Sequence, residues 1–141
     1  MTTGDPRVYF LLQRSAHRLK LAADRVSIAA ADVTTAQFAV LMVIDQAPGC
    51  TQRHVASILE QGEPTVAAMV TRLQTSGLVN KEPHPTEHRA ASLTVTDAGR
   101  TALRVAGDEL KAFNNQIREA LGPDMETVAG ALGRLMSIDF R

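Results

Sequence analysis

The chain has 141 residues, 45% of them hydrophobic, which fits one compact domain or one domain with helical extensions. Lys+Arg and Asp+Glu both number 15, so bulk charge does not draw the chain to nucleic acid, and any basic surface must be local. A single cysteine excludes an internal disulfide, and the longest apolar run, Phe38 to Ile44, is far too short to cross a bilayer.

No basic segment leading into a long apolar stretch marks the start, so the expected location is the cytoplasm, with no membrane contact. Asp5-Pro6 reads as a helix start, with a capping side chain followed by proline in the first turn. Beyond it Tyr9, Leu12, Ala16, Leu19, Ala23, Val26 and Ala30 alternate spacings of three and four, which is a heptad seam. That seam packs either on its own domain or on a second chain. Val8, Leu11 and Ile28 widen the apolar face beyond one stripe and favour the second chain.

Thr34 or Thr35 caps a second helix, with Phe38, Leu41 and Met42 facing inward, and Pro48-Gly49 ends it. Thr51 caps a short third helix with Val55, Ile58 and Leu59 inward. Gln61-Gly62 breaks the chain, and Pro64 opens a fourth helix carrying Val66, Met69, Val70 and Leu73 at i, i+3, i+4, i+7. Gly77 is placed to stop it in a left-handed conformation. Two short helices on a tight turn make a helix-turn-helix pattern. The outer face of the second is small and mostly uncharged: Thr65, Ala68, Arg72 and Thr75, with Ala67 and Thr71 beside them. Such a face approaches its target closely, either a DNA major groove or another helix of the same protein.

After Gly77 the period changes to two. Leu78–Glu82 and Ser92–Thr96 read as short strands. Between them lies HPTEH, residues 84–88, whose letters match a zinc-hydrolase helix signature. Pro83 and Pro85 forbid a regular helix, so His84 and His88 have no fixed stacking, and the stretch reads as a hairpin tip rather than a metal site. Thr96 caps the next helix, with Leu103, Ala106, Leu110, Phe113, Ile117 and Ala120 spaced by three and four. Gly122-Pro123 ends it, and a last helix carries Val128, Leu132 and Leu135. The expected fold is mainly α with a small β-wing. Residues 1–33 form an N-terminal dimerisation helix, 34–100 a winged helix-turn-helix lobe, and 101–141 C-terminal dimerisation helices.

PTVAAMVTRLQTSGLV (64–79) followed by HPTEHRAASLTVTDAGR (84–100) resembles the MarR family of bacterial transcription regulators. Thr65, Val66, Val70, Arg72, Leu73, Gly77, Leu78 and Val79 match its recognition helix. Glu87, Arg89, Thr96 and Gly99 match its wing tip and its strand-to-helix junction. The resemblance implies a homodimer on double-stranded DNA, with one recognition helix per major groove and each wing along a minor groove. The target would be a roughly palindromic operator.

By the same resemblance, Arg89 enters the minor groove and Glu87 braces its guanidinium. The family usually has Asp and Arg where this chain has Glu87 and His88. Two readings of His88 stand: a solvated loop residue, or a contact that charges only when protonated. Ala67 and Ala68 offer methyls alone, so base readout falls to Thr65, Thr71, Arg72 and Thr75, unless Arg72 pairs within the protein. Gln52 and Arg53 suit phosphates at a helix start, and Lys81 joins them from the first strand.

The family also includes thiol sensors and binders of small aromatic acids. Cys50 reads as a small buried hydrophobe, with a helix start nearby as the one argument for reactivity. Tyr9, Arg14, His17 and Arg18 are the candidate effector-binding groups, or else ordinary surface and seam residues. Neither a nucleophile motif nor a phosphate-cradling glycine loop shows, so no enzyme and no cofactor are expected. The competing reading is a winged-helix dimer that acts through protein contacts.

Overall fold

A computed structural model describes residues 6–140. Six helices run in the order α1 (Val8–Ala31), α2 (Thr35–Gln46), α3 (Gln52–Leu59), α4 (Glu63–Thr75), α5 (Asp97–Leu121) and α6 (Met125–Met136). An antiparallel hairpin, β1 (Val79–Pro83) and β2 (Ala91–Val95), separates α4 from α5. A short 3-10 turn, Gly122–Asp124, links α5 to α6.

Three of the helix starts, those of α2, α3 and α5, follow from capping side chains. Thr34 accepts from the Gln37 amide, and Gln37 accepts in turn from the Thr34 amide, a reciprocal box at the start of α2. Thr51 accepts from His54 N–H at the start of α3, and Thr96 from Gly99 N–H at the start of α5, each as a one-way cap. The first helix differs from expectation. It begins at Val8, two residues past Pro6, with Arg7 in the cap position and no side-chain cap bond. Asp5 lies outside the described residues. Both strands sit one residue away from their expected spans, because Leu78 and Thr96 instead bond to each other across the hairpin base (Thr96 N–H to Leu78 C=O, 3.0 Å).

The core lies where α2, α3, α4 and the hairpin meet. Val40, Leu41, Ile44, Val55, Val66 and Val70 are all fully buried there. Each such side chain contributes about 1.5–3 kcal/mol of burial. Two expected core residues do not belong: Met42 is 41% and Ile58 58% exposed. In each case the neighbour turns inward instead, Leu41 and Val43 around Met42, and Val55 and Ala56 before Ile58.

α5 runs without a break from the wing into the C-terminal region, and α1 packs chiefly along it. Small buried residues, Ser27 on α1 and Ala102 and Ala106 on α5, let the two helices approach closely. The sequence pattern did not single out Ser27, whose hydroxyl is buried without a partner. α1 is tied to α2 by Asp24. One carboxylate oxygen accepts from the Thr35 amide (2.8 Å) and hydroxyl (2.6 Å), and the other from Lys20 (2.8 Å). Burial works against ionisation of Asp24, but the bonds from Lys20 and Thr35 outweigh it and hold the carboxyl below its usual value. No single helix among the described residues is long and apolar enough to cross a membrane.

Candidate nucleic-acid interface

α4 is held at both ends. Gly62 starts it and Pro64 fixes its first turn, one residue inside the observed start at Glu63. At the far end Gly77 has φ +78°, with Gly77 N–H donating to Gln74 C=O (3.0 Å) and Leu78 N–H to Leu73 C=O (2.9 Å). This double closure is a Schellman motif, which needs a residue free to adopt positive φ. Val66, Val70 and Leu73 face the core, so Thr65, Ala68, Thr71, Arg72 and Thr75 are exposed on the opposite side, and Ala67 is half-buried. The Thr75 hydroxyl donates back to Thr71 C=O (2.9 Å), which leaves it an acceptor toward any ligand.

The wing is anchored by a close backbone approach. Gly99, buried at the start of α5, lies so near the Leu78 carbonyl that a Cβ would collide with it. Strand alternation puts Lys81 on the same face as buried Val79, so Lys81 is directed back toward α3 and α4.

The HPTEH tip is a turn organised by His84. Its Nδ1 accepts from the backbone N–H of Thr86 (3.2 Å) and of Glu87 (3.1 Å). Arg89, exposed, adopts φ +66°, a left-handed conformation that costs an L-residue about 1–2 kcal/mol. The expected brace is not formed: no ion pair joins Glu87 to Arg89 among the described residues.

Most of the basic candidates converge. An open cleft of about 940 Å³ lies between α3, α4 and the wing, and Gln52, Arg53, Lys81, Glu87, His88 and Arg89 all line it. Its lining also includes Thr51, Glu63, Gln74 and Glu82, which sequence reasoning missed. Gln74 was legible as an exposed polar residue on α4. Glu63 was not, because its role is a pairing across ten residues: Arg53 Nε lies 3.3 Å from its carboxylate, both groups being exposed. Three cations (Arg53, Lys81, Arg89) therefore face three carboxylates (Glu63, Glu82, Glu87) in the cleft. Gln52 has its carboxamide oxygen buried without a partner. Thr65, Ala68, Thr71, Arg72 and Thr75 lie outside this cleft, on two shallower depressions between α4 and the α1–α2 junction. Arg72 makes no ion pair among the described residues.

The remaining candidates stand apart. Tyr9, Arg14, His17 and Arg18 are exposed along α1, with the Tyr9 ring edge-on to Phe10 at 5.3 Å. Cys50 is half-buried, and burial pushes its thiol up, against the pull of a backbone hydrogen bond. Its carbonyl accepts from Leu93 N–H (2.9 Å), while Gly49 N–H donates to Leu93 C=O (2.7 Å), so the chain around Cys50 lies along β2 as a fragment of third strand.

A capped helix pair followed by a two-stranded wing, set between long helices, defines a winged helix-turn-helix protein. The sequence model of the MarR family matches residues 31–90, the span from the end of α1 to the wing tip. The PcaV transcriptional regulator from Streptomyces coelicolor, solved in complex with its natural ligand, is 27% identical, with 97% of each chain covered and a TM-score of 0.76. The transcriptional repressor CouR, bound to a 23-mer DNA duplex, is 25% identical over 98% of this chain and 100% of its own, at TM-score 0.76. The MepR–DNA complex of S. aureus shares the fold at 20% identity and TM-score 0.83, covering 94% of this chain and 98% of that one. No curated protein matches. Residues 31–90 thus match the MarR family, and the chain as a whole shares the winged-helix fold of solved regulators such as PcaV and CouR.

Proposed function

We propose that this chain is a cytoplasmic transcriptional repressor that binds a roughly palindromic DNA operator as a homodimer and is released by a small aromatic effector. The observation that carries the reading is the arrangement around α4. An exposed face of threonines, alanines and Arg72 lies beside a wing whose Lys81 and Arg89 share one cleft with Gln52 and Arg53. α4 suits a major groove, with Thr65, Thr71, Arg72 and Thr75 at base edges and Ala67 and Ala68 against thymine methyls. Arg89 suits the minor groove, with Glu87 and His88 beside it, and Gln52, Arg53 and Lys81 suit the phosphates. Arg53 must exchange Glu63 for a phosphate on binding. The DNA complex of CouR supports the DNA reading, and the ligand complex of PcaV supports an effector, for which Tyr9, Arg14, His17 and Arg18 are the candidate contacts. Exposed Val8, Leu11 and Leu19 on α1 and Leu132 and Met136 on α6 support pairing of the terminal helices.

The test is selection from randomised duplexes followed by gel shift across salt. A repressor enriches a two-fold symmetric site, and with six to ten phosphate contacts its affinity falls by about 10³ to 10⁵ between roughly 50 and 200 mM salt. The charge balance of the cleft supports a second reading, a winged-helix dimer that acts through protein contacts. Failure to enrich any sequence would select that reading.

A further inference from the structure

We propose that His84 is the positioning residue of the wing: its imidazole, acting as a hydrogen-bond acceptor, holds Arg89 in the conformation that meets DNA. The inference rests on the DNA-binding reading above. His84 binds the tip three times. Its own N–H donates to Ala90 C=O (3.1 Å), and its ring takes the amides of Thr86 and Glu87. The backbone bond to Ala90 encloses the segment that contains Arg89, the ring contacts fix its first half at Thr86 and Glu87, and Ala90 N–H closes it from within by donating to Glu87 C=O (3.4 Å).

Two amide donors aimed at Nδ1 require a lone pair there, so the role proposed for the ring is that of an acceptor at Nδ1. In this role the imidazole does what an Asn or Asp side chain does in a tight turn, accepting amides two and three residues onward. Pro83 and Pro85 on either side restrict the backbone around His84, so the acceptor is presented in place. A left-handed residue such as Arg89 persists only where its surroundings fix it. Among the described residues, the ring of His84 is the side chain that hydrogen-bonds the backbone of this tip. His84 therefore acts on DNA through Arg89 and is not itself a reader.

The test compares His84→Ala and His84→Asn in the full-length chain, each with and without Arg89→Ala, on the duplex the wild type selects. Losing two hydrogen bonds predicts about tenfold weaker binding for His84→Ala. His84→Asn restores binding to within about twofold, because its carboxamide oxygen accepts the same amides. In the Arg89→Ala background, His84→Ala adds nothing further. Unchanged binding by His84→Ala overturns the proposal, as does an equal loss in both backgrounds or failure of Asn to rescue. If the wild type selects no duplex, the repressor reading falls and NMR on the free protein decides this one. At mildly alkaline pH, a bare Nδ1 at His84 and slowed exchange of the Thr86 and Glu87 amides, lost in His84→Ala, support it. A protonated Nδ1, or equal exchange in both proteins, overturns it.

Discussion

Val40 and Leu19 are both aliphatic residues on helices of the same chain, yet Val40 is 0% and Leu19 42% exposed. The difference extends to the regions they stand in. The lobe formed by α2, α3, α4 and the hairpin closes its core within one chain. The outer parts of α1 and α6, and the residues after α6, leave Val8, Phe10, Leu11, Met136 and Phe140 largely in solvent. Apolar surface on this scale marks an interaction site, and on α1 it lies on the helix that carries heptad spacing. The lobe is thus complete as a fold, while the ends carry exposed apolar surface that the homodimer proposed above would cover.

The contrast can be broken by mutation. Ile44→Ala removes a side chain sealed inside the lobe and should cost about 2–5 kcal/mol in denaturant unfolding. Recovery of most of that loss at high protein concentration would mean the lobe is not self-contained. Leu19→Asp should leave the lobe folded but weaken association by about 1.5–3 kcal/mol, the worth of one buried leucine, read by sedimentation equilibrium. An unchanged mass distribution would place the seam against its own chain.

Asp24→Ala tests the tie between the regions. It strips Thr35 of an acceptor for its amide and hydroxyl and should cost about 1–2 kcal/mol. The acid dependence has a definite sign. The carboxyl is held below the ordinary aspartate value of 3.8, so its contribution is present above that pH and is lost as the pH falls through the lower folded value. Asp24→Ala should flatten that part of the acid unfolding curve. The smallest effect is expected from Cys50→Ser. A half-buried thiol with its proton held more tightly should be inert, so stability changes by less than about 1 kcal/mol and the peroxide response of DNA binding is unchanged, whereas loss of a wild-type response would make Cys50 a sensor.

What was legible in the sequence was local. Thr34, Thr51 and Thr96 announce their helices, Gly77 its left-handed stop, and the prolines around HPTEH its exclusion from a helix. What was not legible depends on partners far along the chain: Arg53 with Glu63, Asp24 with Thr35, and Cys50 beside Leu93. Periodicity also cannot choose between adjacent apolar residues, which is why Met42 and Ile58 fall on the wrong side. At the tip, the resemblance pointed to Arg89 and its carboxylate neighbour. It gave no sign of His84, because an imidazole serving as a turn acceptor has no spacing signature.

The strand-like contact of Cys50 with Leu93 has a consequence for colloidal behaviour. A lone hairpin offers two rims of unpaired backbone, and either could recruit a stray strand and seed fibres. Here the β2 rim is partly occupied by the chain's own backbone at Gly49 and Cys50. The β1 rim is short, and it carries Lys81, Glu82 and Pro83, residue types that discourage further strand addition. The protein can therefore extend its ribbon into solvent without that ribbon becoming a template for polymerisation.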